Sequence, residues 1–146
     1  MECRLLHTKL VELAAYAALM AKKDREICGL LIDNGFCFDM LVVPNKSKSI
    51  GSFAFDETAV KRIKRAVQLT GNEIIGTFHS HPWSPAKPSK SDIENTLDDS
   101  LMMIISVSDQ SAKLWYIKNG MASSIQYRTL RARKDKGWYR KVGARS

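Results

Sequence analysis

Residues 73–92 have the sequence EIIGTFHSHPWSPAKPSKSD, a short apolar run that leads into two histidines and a loop rich in proline. We predict a strand over residues 73–78 that runs directly into His79 and His81. Because strand side chains alternate between two faces, histidines at positions i and i+2 point the same way. Three of the four prolines in the chain lie in the loop that follows, and each restrains its own φ and the residue before it. The loop is therefore expected to hold the segments on either side of it at a fixed separation.

A candidate metal site follows from this spacing. Asp92 comes eleven residues after His81, and we expect it to return on the first turn of a short helix over about residues 91–97. Two imidazoles and one carboxylate, with a fourth position left for water, are the ligand set of a catalytic zinc ion. The sequence therefore predicts one zinc ion bound by His79, His81 and Asp92. The remaining histidine, His7, stands alone and is expected to be an ordinary surface or core residue.

The rest of the chain predicts a single mixed domain. The spacing of apolar residues predicts helices over residues 8–22 and 56–70, with Gly71 ending the second. Strand-type runs occupy residues 3–6, 27–32, 36–43, 101–107, 113–117 and 123–127. The sequence Asp33-Asn34-Gly35 predicts a hairpin between the second and third of these runs. Since helices and strands interleave along the chain, the expected fold class is α/β in the mixed, α+β sense, with a mixed β-sheet flanked by helices.

The composition suits one globular domain. The chain has 146 residues, of which 45% are apolar and 26% are charged, and this length is too short for two ordinary domains. No apolar run approaches the ~18 uncharged residues of a membrane helix, and the most apolar early run, residues 10–21, contains Glu12. Three cysteines without C-x-x-C spacing argue against a disulfide framework or a cysteine zinc site, and they favour the reducing cytoplasm.

The net charge of +8 is concentrated at the C-terminus. Residues 128–146 contain eight Lys or Arg and one acid, whereas residues 1–127 contain 15 basic and 14 acidic residues. We therefore divide the chain into a domain, residues 1–127, and a basic tail, residues 128–146. A solvated, partly disordered tail is one interpretation, and electrostatic capture of an acidic partner, either a protein or a nucleic acid, is the other. Trp138 and Tyr139 slightly favour capture, because aromatic side chains can stack or anchor.

Three strings of the sequence carry a family resemblance. They are EICGLL at residues 26–31, GTFHSHP at residues 76–82 and PSKSD at residues 88–92. Together they resemble the signature of the JAMM (MPN+) zinc metalloproteases, and in particular the single-domain prokaryotic members: an upstream Glu, H-S/T-H-P, and S-x-x-D with ten residues between the second His and the Asp. The resemblance covers roughly residues 4–127 and implies a fold similar to the cytidine deaminase core. Deaminases themselves use H-x-E with P-C-x-x-C, and this sequence contains neither.

The resemblance also implies an activity and residue roles. Members of the family hydrolyse isopeptide or peptide bonds after the C-terminal Gly-Gly of ubiquitin-like proteins or of sulfur-carrier relatives. By resemblance, Glu26 passes a proton from the zinc-activated water to the leaving amine, and Ser89 donates a hydrogen bond to the tetrahedral oxyanion. Residue spacing alone does not choose Glu26 over Glu73 or Asp24.

Several positions keep two interpretations. Ser89 could instead cap the helix that carries Asp92, and Ser91 could also fill that position. Trp83 either lines a groove for the substrate or packs the loop. Residues 45–55 lie where family members carry a substrate-contacting insertion, and we expect this segment to pair with the substrate tail as an added strand.

Three functional hypotheses follow. The first is a zinc-dependent isopeptidase or peptidase that acts in the cytoplasm on a ubiquitin-like or sulfur-carrier protein. The second is a catalytically inactive scaffold with the same fold, and the third is a nucleic-acid-binding protein that acts through its basic tail. Zinc content together with peptidase activity separates the first two, and a steep salt dependence of nucleic-acid binding would support the third. No membrane partner is expected, and nucleic acid is the less favoured partner.

Overall fold

The structure is a computed structural model that describes residues 2–49 and 51–131. In this part of the chain, three helices accompany one eight-stranded sheet. The helices are α1 (His7–Ala21), α2 (Glu57–Thr70) and α3 (Lys90–Glu94). The strands are β1 (Arg4–Leu6), β2 (Cys28–Asp33), β3 (Phe38–Val43), β4 (Glu73–His81), β5 (Ser100–Ser106), β6 (Ser111–Lys118), β7 (Met121–Ile125) and β8 (Arg128–Leu130).

The strands lie in the order β7-β6-β5-β4-β2-β3-β1-β8 across the sheet. The pairs β4–β5, β1–β3 and β1–β8 are parallel, and the other neighbouring pairs are antiparallel. A sheet with both kinds of pair, interleaved with helices along the chain, confirms the mixed α+β class predicted from the sequence. Because β4 lies in the interior of the sheet, β2 and β5 support it on either side.

Both faces of the central strands are buried. In β5, Met103 and Ile105 belong to the larger hydrophobic core, whereas Met102 and Ile104 belong to a smaller core on the opposite face. Burial on both faces explains why residues 101–105 form a continuous apolar run rather than an alternating one. Side chains of α1 join the larger core, and the smaller core contains Ala86 from the proline-rich loop.

The second helix begins and ends where the sequence predicts. The Asp56 carboxylate caps its first turn by accepting hydrogen bonds from the amides of Thr58 (3.0 Å) and Ala59 (3.3 Å). Gly71 follows the last turn with a φ of 75°, a left-handed conformation that glycine adopts without steric cost. The chain then turns directly into β4, which carries the two histidines.

The hairpin between β2 and β3 has a longer turn than we predicted. β3 begins at Phe38 rather than at Phe36, and residues 34–37 form the turn. The side-chain oxygen of Asn34 accepts hydrogen bonds from the amides of Phe36 and Cys37, both at 2.9 Å. These local bonds replace bonds of the strand ladder, so both residues stay outside the strand.

The sheet continues past residue 127 through β8. This strand pairs in parallel with β1, and an exposed ion pair of 2.8 Å joins Arg128 to Glu2 beside it. The sheet therefore includes the first residues of the segment that we assigned to the basic tail. Residues 132–146, which include Trp138 and Tyr139, lie outside the described residues.

Two expectations from the composition can be compared with the structure. All three cysteines are buried, and no disulfide joins them. Over residues 2–49 and 51–131, no helix is long and apolar enough to cross a membrane.

Gly76 in β4 lies against the backbone of β5, and this contact generates a test of the fold. A Cβ at Gly76 would lie 2.0 Å from the Leu101 carbonyl oxygen. We expect Gly76→Ala to lower the free energy of unfolding by roughly 3 kcal/mol, measured by urea titration. The control is Gly120→Ala, whose Cβ would lie in open space. Its only cost, ~1 kcal/mol, comes from placing alanine at a φ of 71°. Equal losses in the two variants would contradict the close approach of β4 and β5.

Candidate metal centre

The end of the central strand presents two histidines on one face. His79 and His81 lie in the last three residues of β4, and both are buried. Ser80 between them points to the other face, where its hydroxyl accepts a hydrogen bond of 2.8 Å from the Ile27 amide. This is the alternation expected of a strand. It leaves the two imidazoles side by side, with ring centroids 5.0 Å apart.

Three donor atoms converge beside the end of the strand. The Nε2 atoms of His79 and His81 are 3.1 Å apart, and each lies 3.1 Å from Oδ2 of Asp92. Around a tetrahedral zinc ion with bonds of about 2.0–2.1 Å, neighbouring ligand atoms are separated by roughly 3.3 Å. The structure thus brings together the three predicted ligands, which could hold a metal ion at distances compatible with zinc.

Different contacts orient the two histidines. Nδ1 of His81 lies 2.8 Å from the Pro85 carbonyl oxygen, and donation of its proton there leaves a lone pair on Nε2 for a metal. Nδ1 of His79 is buried and has no hydrogen-bond partner among the residues that the structure describes. The ring of Phe53 stacks on His79 instead, with 4.6 Å between the ring centroids and 28° between the planes.

Three successive carbonyl groups of the proline-rich loop accept hydrogen bonds from side chains on the sheet. These bonds run from the Ser106 hydroxyl to Ser84 (2.8 Å), from His81 Nδ1 to Pro85 (2.8 Å) and from the Trp115 indole to Ala86 (2.9 Å). The loop is therefore tied to β4, β5 and β6 at once. Together with the prolines, these bonds hold the two ligand-bearing segments at a fixed separation.

The first turn of α3 holds Asp92 in place. Its carboxylate accepts a hydrogen bond of 2.9 Å from the Ser89 amide, and the Ser89 hydroxyl accepts one of 3.0 Å from the Asp92 amide. This reciprocal capping box fixes the carboxylate independently of any metal. Because α3 begins at Lys90, Ser89 and not Ser91 is the helix cap. The Ser89 oxygen acts as an acceptor here, so its own proton stays available for another partner.

Glu26 is the buried carboxylate beside this centre. It is 6% exposed and lines a cavity of about 360 Å³ together with Ser89 and Asp92. The alternatives, Glu73 and Asp24, are both exposed and are not among the described residues that line the cavity. Burial and the charge of Asp92 raise the pKa of Glu26 to about 7, against the opposing influence of His81. A carboxyl group that titrates near neutral pH can both accept and return a proton.

The electrostatics of the site favour the metal-binding forms of Asp92 and His79 but favour protonation of His81, which must lose a proton to bind a metal. Burial raises the pKa of Asp92, but its hydrogen bonds with His79 and His81 outweigh burial and hold that pKa well below its ordinary value. Burial lowers the pKa of His79, and the contact with Asp92 offsets only part of this effect. Burial also lowers the pKa of His81, but hydrogen bonds with Asp92 and the Pro85 carbonyl outweigh it, so that pKa is raised. An ionised carboxylate and a neutral His79 are the forms in which these groups bind metals.

Two residues of the centre carry no clear signal in the sequence. Phe53 contacts His79, a candidate metal ligand, and the Asn45 side chain donates a hydrogen bond of 2.9 Å to the Glu26 carbonyl. Both lie in the segment 45–55 that we singled out for substrate binding, but no motif distinguishes them there. Trp83, for which two interpretations were open, is 66% exposed and is not among the described residues lining the cavity.

The raised pKa of Glu26 makes a prediction about stability. An acid whose pKa rises from 4.5 to about 7 on folding binds its proton more tightly in the folded state. The free energy of unfolding therefore falls as pH rises through this window. In metal-free protein, we expect Glu26→Gln to be more stable than wild type by about 3 kcal/mol at pH 8 and nearly equal to it at pH 4.5 or below.

Thermal or urea unfolding of metal-stripped protein at the two pH values measures this difference. The matched control is Glu73→Gln, the same change at an exposed position in β4, which should alter stability little at either pH. Equal stability of Glu26→Gln and wild type at pH 8 would contradict the burial of a carboxyl group with a raised pKa at this position.

Comparisons with known proteins place the fold and the family. Residues 8–118 match a family model described as prokaryotic homologs of the JAB domain, and no curated protein matches the sequence. A protein of Desulfitobacterium hafniense, solved in solution, is 23% identical over 89% of this chain and 92% of its own, with a TM-score of 0.74. A JAB1/MPN domain protein from Archaeoglobus fulgidus is 16% identical over 89% of this chain and 99% of its own, with a TM-score of 0.58.

A third similar structure is described as JAMM, a metalloprotease-like zinc site in the proteasome and signalosome. It is 16% identical over 89% of this chain and 99% of its own, with a TM-score of 0.53. At these identities, the solved structures establish a shared JAB1/MPN fold but no activity or substrate. The family model, in contrast, covers most of the sequence, including all three candidate metal ligands. The chain therefore belongs to the prokaryotic homologs of the JAB domain, within a JAMM/MPN family that includes zinc metalloproteases.

Proposed function

We propose that this protein is a zinc-dependent peptidase that cleaves the isopeptide or peptide bond after the C-terminal Gly-Gly of a ubiquitin-like or sulfur-carrier protein. The observation that carries the proposal is the convergence of the His79, His81 and Asp92 donor atoms, 3.1 Å apart, beside the buried Glu26. A closed structural zinc site has four protein ligands. No fourth His, Cys, Asp or Glu joins this group within the described part of the chain, which supports an open, catalytic position.

The chain's own residues divide the chemistry between them. A bound zinc ion would supply Lewis acidity and lower the pKa of water. Glu26 takes the proton from the attacking water and returns it to the leaving amine, a role supported by its place in the cavity beside Asp92 and Ser89. Ser89 lines the same cavity with its hydroxyl proton uncommitted, and it donates a hydrogen bond to the oxyanion that develops on the attacked carbonyl.

The wall of the cavity supports an extended substrate with a glycine end. Residues 51–55 line the cavity together with Ser89 and Asp92. The peptide N–H and C=O of Phe53 have no hydrogen-bond partner among the described residues, so both are available to an incoming strand. Glycines at the substrate's end would let its backbone approach this wall closely, because they have no side chain.

The setting and the partners form part of the same proposal. Three buried cysteines without a disulfide support a reducing, cytoplasmic location. The positive charge concentrated in residues 128–146 supports an acidic partner for the basic tail, attracted over a distance by its opposite charge. A nucleic acid is the alternative partner, and its binding would weaken steeply with added salt.

The proposal predicts zinc and cleavage together. We expect one zinc ion per chain by elemental analysis, and release of Gly-Gly-linked C-terminal extensions from at least one member of a panel of ubiquitin-like and sulfur-carrier proteins. Glu26→Gln should keep its zinc and lose roughly 10²–10⁴-fold in turnover, because the proton carrier is gone. Glu73→Gln, the matched control, should cleave like wild type.

The possible outcomes separate the three hypotheses. Stoichiometric zinc without cleavage of any panel member would favour the inactive scaffold. Cleavage that survives in Glu26→Gln would contradict the role of Glu26 while leaving the peptidase in place. Absence of zinc from protein that is folded and exposed to zinc would remove the basis of the proposal.

A further inference from the structure

The two histidines of the centre differ in what fixes their rings. Metal-binding histidines almost always donate the other ring N–H to an oxygen, which sets the tautomer and the ring plane. His81 does so through the Pro85 carbonyl at 2.8 Å. The His79 side chain is fully buried, yet its Nδ1 has no such acceptor in the described ranges 2–49 and 51–131. No hydrogen bond at Nδ1 therefore sets the plane of the His79 ring among these residues.

Phe53 contacts the His79 ring instead. Its ring stacks on the imidazole of His79, with 4.6 Å between centroids and 28° between planes, which lies within the range of favourable aromatic pairs. Phe55 packs edge-on against Phe53, at 5.3 Å and 66°, so Phe53 is itself held in place. A stacked ring restricts rotation of the imidazole and keeps water from its face.

The side chain of Asn45 cross-links the segment that carries Phe53. Its nitrogen donates hydrogen bonds to the carbonyls of Glu26 (2.9 Å) and Ser52 (3.1 Å). Its oxygen accepts hydrogen bonds from the amides of Ser47 (2.9 Å) and Ala54 (3.0 Å). Arg25 adds two hydrogen bonds to carbonyls of the same segment. These hydrogen bonds attach residues 45–49 and 51–55 to the backbone at Glu26, and this support places Phe53 against His79.

We infer that Phe53 is a positioning residue of the metal centre, whose ring holds His79 in the orientation that zinc binding requires, and that residues 51–55 form the outer wall of the centre. The inference rests on the proposed zinc site but not on peptide cleavage. It is also separate from substrate pairing, because pairing would use the backbone of Phe53 whereas positioning uses its ring.

The test is the zinc dissociation constant of metal-stripped full-length protein, measured by competition with a chelator. Phe53→Ala should bind zinc about 10–100-fold more weakly, the loss that accompanies removal of a group supporting a metal ligand. Phe53→Tyr restores the ring and should bind like wild type, and Phe53→Leu, which keeps apolar bulk without a flat face, should fall between them. The matched control is Phe36→Ala, which removes a 60% exposed ring on the β2–β3 turn.

Cobalt substitution provides a readout that a general loss of stability would not change. The visible d–d absorption of bound Co²⁺ reports ligand geometry, and it should shift in Phe53→Ala but not in Phe36→Ala. Equal zinc affinities and superimposable cobalt spectra in wild type and Phe53→Ala would overturn the inference while leaving the zinc site and the peptidase intact. Wild-type protein that binds zinc but cleaves nothing would instead overturn the proposed function, and the affinities would still decide the role of Phe53. Wild-type protein that binds no zinc would overturn both.

Discussion

Two imidazoles and the Glu26 carboxylate are buried at the end of β4, and the Asp92 carboxylate is partly buried beside them. Removing such groups from water costs free energy unless other groups in the protein contact them. The surrounding structure provides these contacts for His81 and Asp92. The Pro85 carbonyl accepts from His81, and the Ser89 amide donates to Asp92. The Asn45 amide fastens the backbone beside Glu26. Because these bonds form without a metal, the donor atoms already converge, and the site is preorganised for a metal ion.

The groups of the centre come from three distant parts of the chain, and strand pairing brings them together. Antiparallel pairing of β2 with β4 places Cys28 opposite His79. Continued by two residues, the same register places Glu26 opposite His81, which explains why a residue before β2 lies beside the metal ligands. α3 then returns Asp92 to this end of the sheet after the proline-rich loop. A slip in this register would separate the carboxylate from the ligands, so the fold and the chemistry depend on the same pairing.

The parts of this arrangement that depend on neighbours in sequence were predictable from the sequence. The shared face of the two histidines follows from strand alternation, and the end of α2 follows from Gly71. The choice of Glu26 was not predictable from spacing, because it depends on pairing between strands some 50 residues apart; only the family resemblance identified it. The stacking of Phe53 on His79 also depends on tertiary packing, and no local pattern predicts it. The longer turn after β2 was missed because the side chain of Asn34 competes with the strand ladder for two amides.

The proposed activity depends most on a single open metal centre at the end of β4. Anomalous diffraction at the zinc edge, from crystals of zinc-loaded protein, tests it directly. We expect one peak about 2.0–2.1 Å from His79 Nε2, His81 Nε2 and Asp92 Oδ2, with the fourth position facing the cavity lined by Glu26 and Ser89. A peak elsewhere in the molecule, or a fourth protein ligand that closes the coordination sphere, would contradict it.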